Sequence, residues 1–254
     1  MSENERIVKT GDRLPLKNVA GFMTLVKKLQ ERPPRTSNIG VMYGRSGEGK
    51  TEASIYASNK TRAVRVEVGD SWGKKRLVTS ILHECGATAA RGTVDALIDQ
   101  AVAYLGDQPS RPLIIDEADK LVDRKLIETL RDLADKSQVP VLLVGEEALP
   151  VKLATVERVG NRVLDWYGAV PCDLPDCRLL ARMALGDVAI ADDLLETVRL
   201  RGDGRARRIV TTLYGMAEWA RNAGVRSLDS ANYTGGVFTG EAPKPRNFKL
   251  GRVA

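Results

Sequence analysis

Residues 38–51 read Asn38-Ile39-Gly40-Val41-Met42-Tyr43-Gly44-Arg45-Ser46-Gly47-Glu48-Gly49-Lys50-Thr51, and the expected architecture of the chain follows from them. An apolar, β-prone run leads into a glycine-rich loop with the pattern GxxxxGKT, and a helix-permissive segment comes next. This is the strand, loop and helix context of a phosphate-binding loop. A glycine loop that precedes Lys-Thr by coincidence would not need that strand. The pattern therefore predicts a site for a nucleoside triphosphate.

The spacing within this loop has a physical reason. Gly44 and Gly49 let the backbone turn tightly, so that successive N–H groups converge on phosphate oxygens. The helix that opens near Gly49 adds its positive end at the same point. Lys50 supplies a mobile charge for the β- and γ-phosphates, and Thr51 supplies a hydroxyl ligand for Mg²⁺. The predicted nucleotide contacts are Gly44, Arg45, Ser46, Gly47, Glu48, Gly49, Lys50 and Thr51.

Length and composition place the chain among soluble globular proteins. Its 254 residues are 43% hydrophobic and 28% charged, and they can hold one α/β core with a smaller appended domain. No run approaches the ~18 apolar residues of a membrane span. The polar start, residues 1–11, lacks the apolar core of a signal peptide, so we expect a cytoplasmic protein. The net charge of +6 is compatible with a nucleic-acid partner without establishing one.

Hydrophobic periodicity predicts alternating strands and helices as far as residue 174. This alternation indicates a five-stranded parallel sheet with helices on both faces, and after residue 175 we expect helices only. The predicted domains are a flexible N-terminus (1–13), an α/β nucleotide-binding domain (14–174), a helical domain (175–233) and a basic mobile tail (234–254). The predicted strands are 38–43, 63–68, 113–115, 139–144 and 169–174, and the predicted helices are 17–30, 49–59, 73–85, 93–105, 122–136, 178–185, 192–200 and 205–223.

Residues 113–119 (Leu-Ile-Ile-Asp-Glu-Ala-Asp) form an apolar strand that ends in two adjacent carboxylates. Successive side chains of a strand point in opposite directions, so the two acids cannot do the same job. We expect Asp116 to hold Mg²⁺, directly or through water, and Glu117 to orient and deprotonate the attacking water. The alternative is a buried strand that merely ends in surface acids. An Asp-Glu pair downstream of a phosphate loop favours hydrolysis.

With the phosphate loop, the acidic strand and the trailing helices in place, the chain resembles the AAA+ ATPases. The resemblance implies a P-loop α/β core, a small all-helical lid, and ATP with Mg²⁺ as cofactors. Residues 157–163 precede the expected fifth strand, where AAA+ proteins carry box VII and its arginine finger. The match makes Arg162 the finger, acting on a neighbouring subunit, and Arg158 the second choice. Two arginines four residues apart are otherwise typical of a solvated helix face.

Two further positions are compared with the AAA+ pattern. Residues 202–208 resemble the sensor 2 motif, which implies that Arg205 lies over the nucleotide phosphates. Residues 199–208 contain five arginines and one aspartate, so a basic DNA-facing patch is the alternative interpretation of this segment. The roles of Arg207 and Arg208 therefore stay open. At the sensor 1 position, AAA+ proteins usually carry Asn, Ser or Thr. Here Glu146 stands there, and its negative charge argues against fast unassisted hydrolysis.

Within AAA+ the chain is most similar to the MuB/TnsC family of DNA-transposition ATPases, over residues 14–223. The similarity rests on the compact size, the Ile-Ile-Asp-Glu-Ala-Asp strand, the Val-Gly-Glu-Glu turn and the short lid. It implies a homo-oligomer, a ring or helical filament on duplex DNA, that recruits and stimulates a transposase during target selection. The phage Mu member begins with a helix-turn-helix segment, which does not fit before Leu14. We therefore expect DNA contact from the core.

The expected DNA contacts are Lys74, Lys75 and Arg76, which follow the second strand and open a helix. Three cations there can neutralise phosphates without reading sequence. Cations are unfavourable at a helix N-terminus, which favours a binding role over an ordinary helix start. The basic tail, with Lys244, Arg246, Lys249 and Arg252, could touch DNA or the transposase, or remain solvated.

Three other functions stay open at this point. A replication initiator or helicase loader would keep the fold but usually carries an added DNA-binding domain. A nucleotide-gated DNA-binding scaffold with negligible hydrolysis would explain Glu146. A small-molecule kinase is the least favoured, because no acceptor-binding segment stands out.

Overall fold

Five parallel strands form the central sheet, in the order β2-β3-β4-β1-β5. The computed structural model describes residues 14–242. The predicted five-stranded parallel sheet with flanking helices is confirmed. The strands are β1 Ile39–Gly44, β2 Val64–Glu67, β3 Leu113–Asp116, β4 Val141–Glu146 and β5 Val163–Gly168, and the helices among them are α1 Lys17–Gln30, α2 Lys50–Thr61, α3 Lys74–Glu84, α4 Val94–Gly106, α5 Asp119–Asp123, α6 Ile127–Ser137, α7 Leu149–Ala154 and α8 Glu157–Gly160.

The central strands are apolar throughout because helices cover both faces of the sheet. Alternate side chains of each strand point to opposite faces. In β3, Leu113 and Ile115 pack in the core under α3, α4 and α6. Ile114 packs in the core under α1 and α2. All three side chains are fully buried.

The strand register determines where the polar loops meet. Gly44 at the end of β1 is paired with Glu146 at the end of β4. Asp116 at the end of β3 is aligned with Val144 on one side and with Glu67 on the other. The loops that follow β1, β3 and β4 therefore open at one edge of the sheet.

The fifth strand lies at residues 163–168, so the expectation of a strand at 169–174 was wrong. Strand β5 is an edge strand that pairs only with β1 in the described part of the sheet, and its residues are half-buried or exposed. It therefore lacks the continuous apolar run of the central strands. Ala169 still donates its N–H to Tyr43 O at 2.7 Å. Beyond it the chain turns into the next helix, with Asp173 as the N-cap.

The single helix expected at 122–136 is two helices. Helix α5 ends at Asp123, and Lys125 adopts a left-handed conformation with φ of 56° before α6 begins. Leu126 N–H then bonds back to Leu121 O at 2.7 Å. This turn keeps Leu121 and Leu126 in the same core. The apolar spacing was compatible with one helix because both segments face that core.

The C-terminal part contains α9 Leu174–Leu185, α10 Asp192–Arg201 and α11 Ala206–Ala223, as the periodicity predicts. We call residues 174–228 the helical unit. The expectation of helices alone was wrong, because β6 Ala189–Ile190 and β7 Ser227–Leu228 form a small parallel sheet. The helical unit has its own core, to which Leu14 and Cys172 also contribute.

Parts of the predicted domain scheme fall outside the described residues. These parts are the expected flexible segment 1–13 and the tail beyond residue 242, with Lys244, Arg246, Lys249 and Arg252. The domain limits themselves remain predictions. Within residues 14–242, no helix combines the length and apolar character that a membrane crossing requires.

Candidate nucleotide site

The glycines of residues 44–51, the phosphate loop, serve two different purposes. Gly47 and Gly49 adopt positive φ values of 89° and 85°, which glycine reaches without strain. Gly44 does not, so the expectation that it supplies a tight turn was wrong. A side chain on Gly44 would instead collide with the Glu48 carboxylate and with Ala169. Gly44 is therefore needed for close packing behind the loop.

Lys50 begins α2 and folds back over the phosphate loop. Its Nζ donates hydrogen bonds to Gly44 O and Arg45 O, each at 2.8 Å. Burial lowers the pKa of Lys50, and the negative charges of Glu48 and nearby carboxylates oppose that shift. Phosphate oxygens would replace these two carbonyl oxygens. Ligand binding at Lys50 is thus an exchange of partners.

A cavity of about 760 Å³ lies between the carboxyl edge of the sheet and the helical unit. This volume is within the range of small-molecule sites. One end is polar and is formed by the phosphate loop and by strand ends. The other end is apolar and combines residues before and within α1 with residues of α9 and α11. The polar lining includes Ser46, Lys50, Thr51, Glu67, Asp116, Glu117, Glu146 and Arg207, and the apolar lining includes Leu14, Leu16, Val19, Leu180, Met183 and Val210.

The two acids after β3 both line this cavity but differ in environment. The Asp116 side chain is 3% exposed, and its Oδ1 accepts the N–H of Glu117 at 3.0 Å. The Glu117 side chain is 43% exposed, and its Oε2 lies 3.5 Å from Lys120 Nζ. Asp116 is therefore held rigidly, whereas Glu117 can reach a bound molecule.

Thr51 and Asp116 line the cavity together, which fits the expected Mg²⁺ ligands. Ser54 Oγ lies 2.8 Å from Thr51 O and 3.2 Å from Asp116 Oδ2, so it links the first turn of α2 to the end of β3. A hydroxyl and a carboxylate are hard oxygen donors of the kind that Mg²⁺ prefers. The donor set therefore suits this ion.

Glu146 lines the cavity at the end of β4. Its backbone N–H donates to Asp119 Oδ2 at 2.6 Å. Asp119 is 7% exposed and packs directly over the Cα of Gly145. Asp119 was not singled out from the sequence, although it belongs to the Asp-Glu-Ala-Asp run. This bond holds the backbone of Glu146, whose carboxylate adds negative charge to the cavity.

The start of α11 lies on the phosphate loop. Arg205 Nη1 is 3.4 Å from Ser46 O, and its Nε lies 3.3 Å from Asp203 Oδ2. Arg207 donates its backbone N–H to Gly47 O at 3.1 Å, and its side chain lines the cavity. The sequence favoured Arg205 alone. In the structure Arg207 lines the cavity, whereas Arg205 contacts the phosphate loop beside it.

Arg162 and Arg158 lie away from this cavity. Arg162 O accepts the N–H of Ile39, at the opposite end of β1 from the phosphate loop. The Arg162 Nε bonds both oxygens of Asp135, at 2.7 and 2.8 Å. Arg158 is exposed, and its side chain has no ion-pair partner within residues 14–242. Either arginine could meet a nucleotide only in another copy of the chain.

Lys74, Lys75 and Arg76 form the exposed first turn of α3. No carboxylate of the described chain pairs with them. The Arg76 guanidinium lies 5.3 Å from the Trp72 ring centre, a cation–π contact. Trp72 itself packs over Gly69 and against the main core. The three cations therefore face solvent on a firmly packed base.

Comparison with known proteins agrees with this geometry. Residues 32–153 match a protein-family model described as an AAA domain. This segment contains the phosphate loop, the two acids and Glu146. No curated protein matches the sequence.

Several solved structures share the fold. The Aeropyrum pernix ORC2 protein, solved as ADPNP–ADP complexes, has a TM-score of 0.66 and 17% identity over 89% of this chain and 68% of its own. The Aeropyrum pernix ORC1 protein in complex with DNA has a TM-score of 0.58 and 19% identity over 84% of this chain and 62% of its own. The Thermotoga maritima RuvB Holliday junction branch migration motor has a TM-score of 0.56 and 17% identity over 84% of this chain and 65% of its own. The chain spans roughly two thirds of these proteins, and the likeness shows a P-loop AAA+ fold.

Proposed function

We propose that this chain is an ATP-dependent DNA-binding ATPase of the AAA+ type, which assembles on duplex DNA and recruits and stimulates a transposase. One observation carries the ATPase part of the proposal. A single cavity combines Lys50, Thr51, Asp116 and Glu117 with Arg207 from the helical unit. These side chains supply a phosphate cation, two metal ligands, a base and a second cation.

The residues would share the work of hydrolysis as follows. The loop N–H groups and Lys50 hold the β- and γ-phosphates, while Arg205 and Arg207 close over them from the helical unit. Mg²⁺ held by Thr51 and Asp116 would neutralise charge on the phosphates. Glu117 orients a water molecule and accepts its proton.

Because of Glu146, we expect the isolated chain to hydrolyse ATP slowly. Its carboxylate lines the same cavity as Glu117, so it adds negative charge near the position of the γ-phosphate. The proposal therefore includes stimulation by DNA or by a neighbouring subunit. A nucleotide-gated scaffold with negligible hydrolysis is the second candidate, and Glu146 is the observation that favours it.

Completion of the site by a neighbouring subunit involves residues 158–162. Arg162 is the first candidate for the arginine finger, and it would have to release Asp135 before reaching a neighbour. Arg158 is already exposed and unpaired in the described chain. Alanine variants at each position, mixed with a Lys50→Ala variant, separate the two. The true finger variant should be inactive alone and regain hydrolysis in the mixture, because the Lys50→Ala subunit brings an intact finger to its nucleotide site, whereas a variant at the other arginine should hydrolyse ATP alone.

We assign DNA binding to Lys74, Lys75 and Arg76, because they are exposed, adjacent and without a carboxylate partner among residues 14–242. Contacts to phosphate make binding weaker as salt rises. Each alanine substitution there is expected to lower the slope of log affinity against log salt by about 0.9. Affinity for unrelated duplex sequences should fall equally. Lys60→Ala, at the last turn of α2, provides the control.

Imaging with duplex DNA tests assembly, with phosphate release measured in parallel. Rings or helical filaments that require ATP or a non-hydrolysable analogue are expected. A monomer that ignores DNA with either nucleotide would refute the assembly proposal. Filaments without phosphate release would favour the scaffold.

The transposase assignment rests on the resemblance to the MuB/TnsC family. A strand-transfer assay on DNA coated with this protein tests it, and we expect insertion to be stimulated only with nucleotide. A replication initiator or helicase loader would instead load a replicative helicase and leave strand transfer unchanged.

A further inference from the structure

Arg65 contacts the carboxylate that is assigned to the metal, although it lies outside every motif of the chain. Its Nη2 is 2.6 Å from Asp116 Oδ2, and its Nε donates to Ser54 Oγ at 2.8 Å. Glu67 Oε2 lies 3.3 Å from the same Nη2. The Arg65 side chain is 19% exposed. One guanidinium thus joins β2, β3 and the first turns of α2.

The alternation of β2 explains why an arginine lies there. Val64 and Val66 point into the core beneath α3 and α4. Arg65 and Glu67 therefore point to the opposite face, which α2 covers. Glu67 is aligned with Asp116 in the sheet, so Arg65 reaches along the strand toward Asp116. A charged side chain on this covered face requires a partner of opposite charge.

Both oxygens of Asp116 are occupied by this arrangement. Oδ1 accepts the Glu117 N–H, and Oδ2 accepts from Arg65. The carboxylate is therefore already neutralised by a fixed cation. A divalent ion that enters alone meets this positive charge at short range. A triphosphate brings negative charge and further oxygen ligands, which offset it.

We propose that Arg65 is a positioning residue that holds Asp116 and makes divalent-ion binding conditional on a bound triphosphate. The inference rests on the proposed nucleotide site. It predicts weak metal binding by the nucleotide-free protein. It also predicts that loss of the guanidinium charge releases this restriction.

The experiment is a titration of nucleotide-free protein with Mn²⁺, followed by electron paramagnetic resonance of the free ion. We expect Arg65→Gln to bind Mn²⁺ at least about tenfold more tightly than the wild type. Adding Asp116→Asn to Arg65→Gln should abolish the gain, which locates the ion at Asp116. Arg178→Gln is the matched control. It breaks an arginine–aspartate pair with the same 2.6 Å distance, to Asp192 in the helical unit, and should leave Mn²⁺ affinity unchanged.

Equal Mn²⁺ affinity in the wild type and in Arg65→Gln would overturn the inference, as would tight binding by the nucleotide-free wild type. Thermal unfolding shows whether Arg65→Gln is folded. If it is not, Arg65→Met decides, because methionine fills the same covered face without a positive charge. Tighter Mn²⁺ binding is again expected, and wild-type affinity would overturn the inference. Binding of an ATP analogue by the wild type is measured separately, and its failure would refute the nucleotide site instead.

Discussion

Glu117 has a left-handed backbone, with φ of 57°, directly after a fully buried strand. For a residue with a side chain, this conformation is less stable by about 1–2 kcal/mol. Such strain persists where the surroundings impose it, and functional sites are common places for it. Here Asp116 Oδ1 holds the Glu117 N–H at 3.0 Å. The left-handed backbone conformation thus accompanies the placement of the proposed base in the cavity lining.

Two substitutions at Glu117 separate strain from chemistry. Both Glu117→Gln and Glu117→Gly are expected to bind an ATP analogue and to lose hydrolysis, because neither side chain can accept the proton. Glu117→Gly should be more stable than Glu117→Gln by about 0.5–1 kcal/mol, since glycine adopts the left-handed conformation freely. Urea unfolding and phosphate release measure the two effects. Normal turnover by Glu117→Gln would contradict the base assignment.

The residues of the proposed site divide into two groups by how they could be found. Lys50, Thr51 and Asp116 follow from spacing, because a phosphate loop and an acidic strand end have local patterns. Arg65 and Asp119 have no such pattern. Their roles depend on partners in other strands and helices, so only the sheet register brings them to the site.

At the scale of elements, the end of β4 is shaped by a single glycine. A side chain at Gly145 would strike the Asp119 carboxylate, and Leu149 Cδ2 would lie 2.7 Å from its Cβ. The close approach lets Asp119 accept the Glu146 N–H. Gly145 is thus a condition for the position of Glu146.

Gly145→Ala is therefore expected to lower the free energy of unfolding by about 1–3 kcal/mol, as overpacking does. It should also change the hydrolysis rate, because Glu146 must move. Gly215→Ala in α11 is the control, since nothing lies within 4 Å of the added methyl group. In that control the free energy of unfolding should rise by up to about 1 kcal/mol, because alanine has a higher helix propensity than glycine. Equal effects of the two changes in urea unfolding would argue against the packing explanation.

Elements with a clear apolar pattern were mostly predicted well, the edge strand β2 among them, and elements without such a pattern were not. Helix α1 was predicted residue for residue, because its apolar face lies in one core. Strand β5 was misplaced because an edge strand needs no apolar run. Strands β6 and β7 are only two residues long, too short for any period to show.

At the scale of the whole molecule, Asn18 joins the α/β core to the connection with the helical unit. Its Nδ2 donates to Glu48 O and to Val170 O, each at 2.8 Å. Its Oδ1 accepts from Tyr167 OH at 3.1 Å and from the Val170 N–H at 2.9 Å. One buried amide thus ties α1, the phosphate loop and the end of β5 together.

Asn18→Ala should lower the free energy of unfolding by about 1–3 kcal/mol, because the buried Glu48 carbonyl and the partly buried backbone groups of Val170 lose their partner. Asn161→Ala, at an exposed asparagine, should change stability by less than about 0.5 kcal/mol. Urea unfolding at equilibrium compares the two. A change at Asn18 no larger than that at Asn161 would contradict the connecting role.

Cys172 and Cys177 are buried in the core of the helical unit, so their reactivity measures its opening. Burial raises the pKa of Cys172 and of Cys177 to about 12, and it also raises the pKa of Cys85. A thiol with that pKa is about 0.01% thiolate at pH 8, against about a quarter for an ordinary cysteine. Cys172 and Cys177 should therefore react with a thiol reagent only when the helical unit opens, and an ATP analogue should slow them. Prompt reaction of both in the folded protein would contradict this.

The pairing of β6 with β7 has a mechanical consequence. It fastens the connection between α9 and α10 to the segment after α11, so these two segments cannot move apart without breaking strand hydrogen bonds. The shared core of α9, α10 and α11 adds to this restraint. Because Arg207 donates its backbone N–H to Gly47 O, we expect a displacement of the phosphate loop to move the three helices as one body.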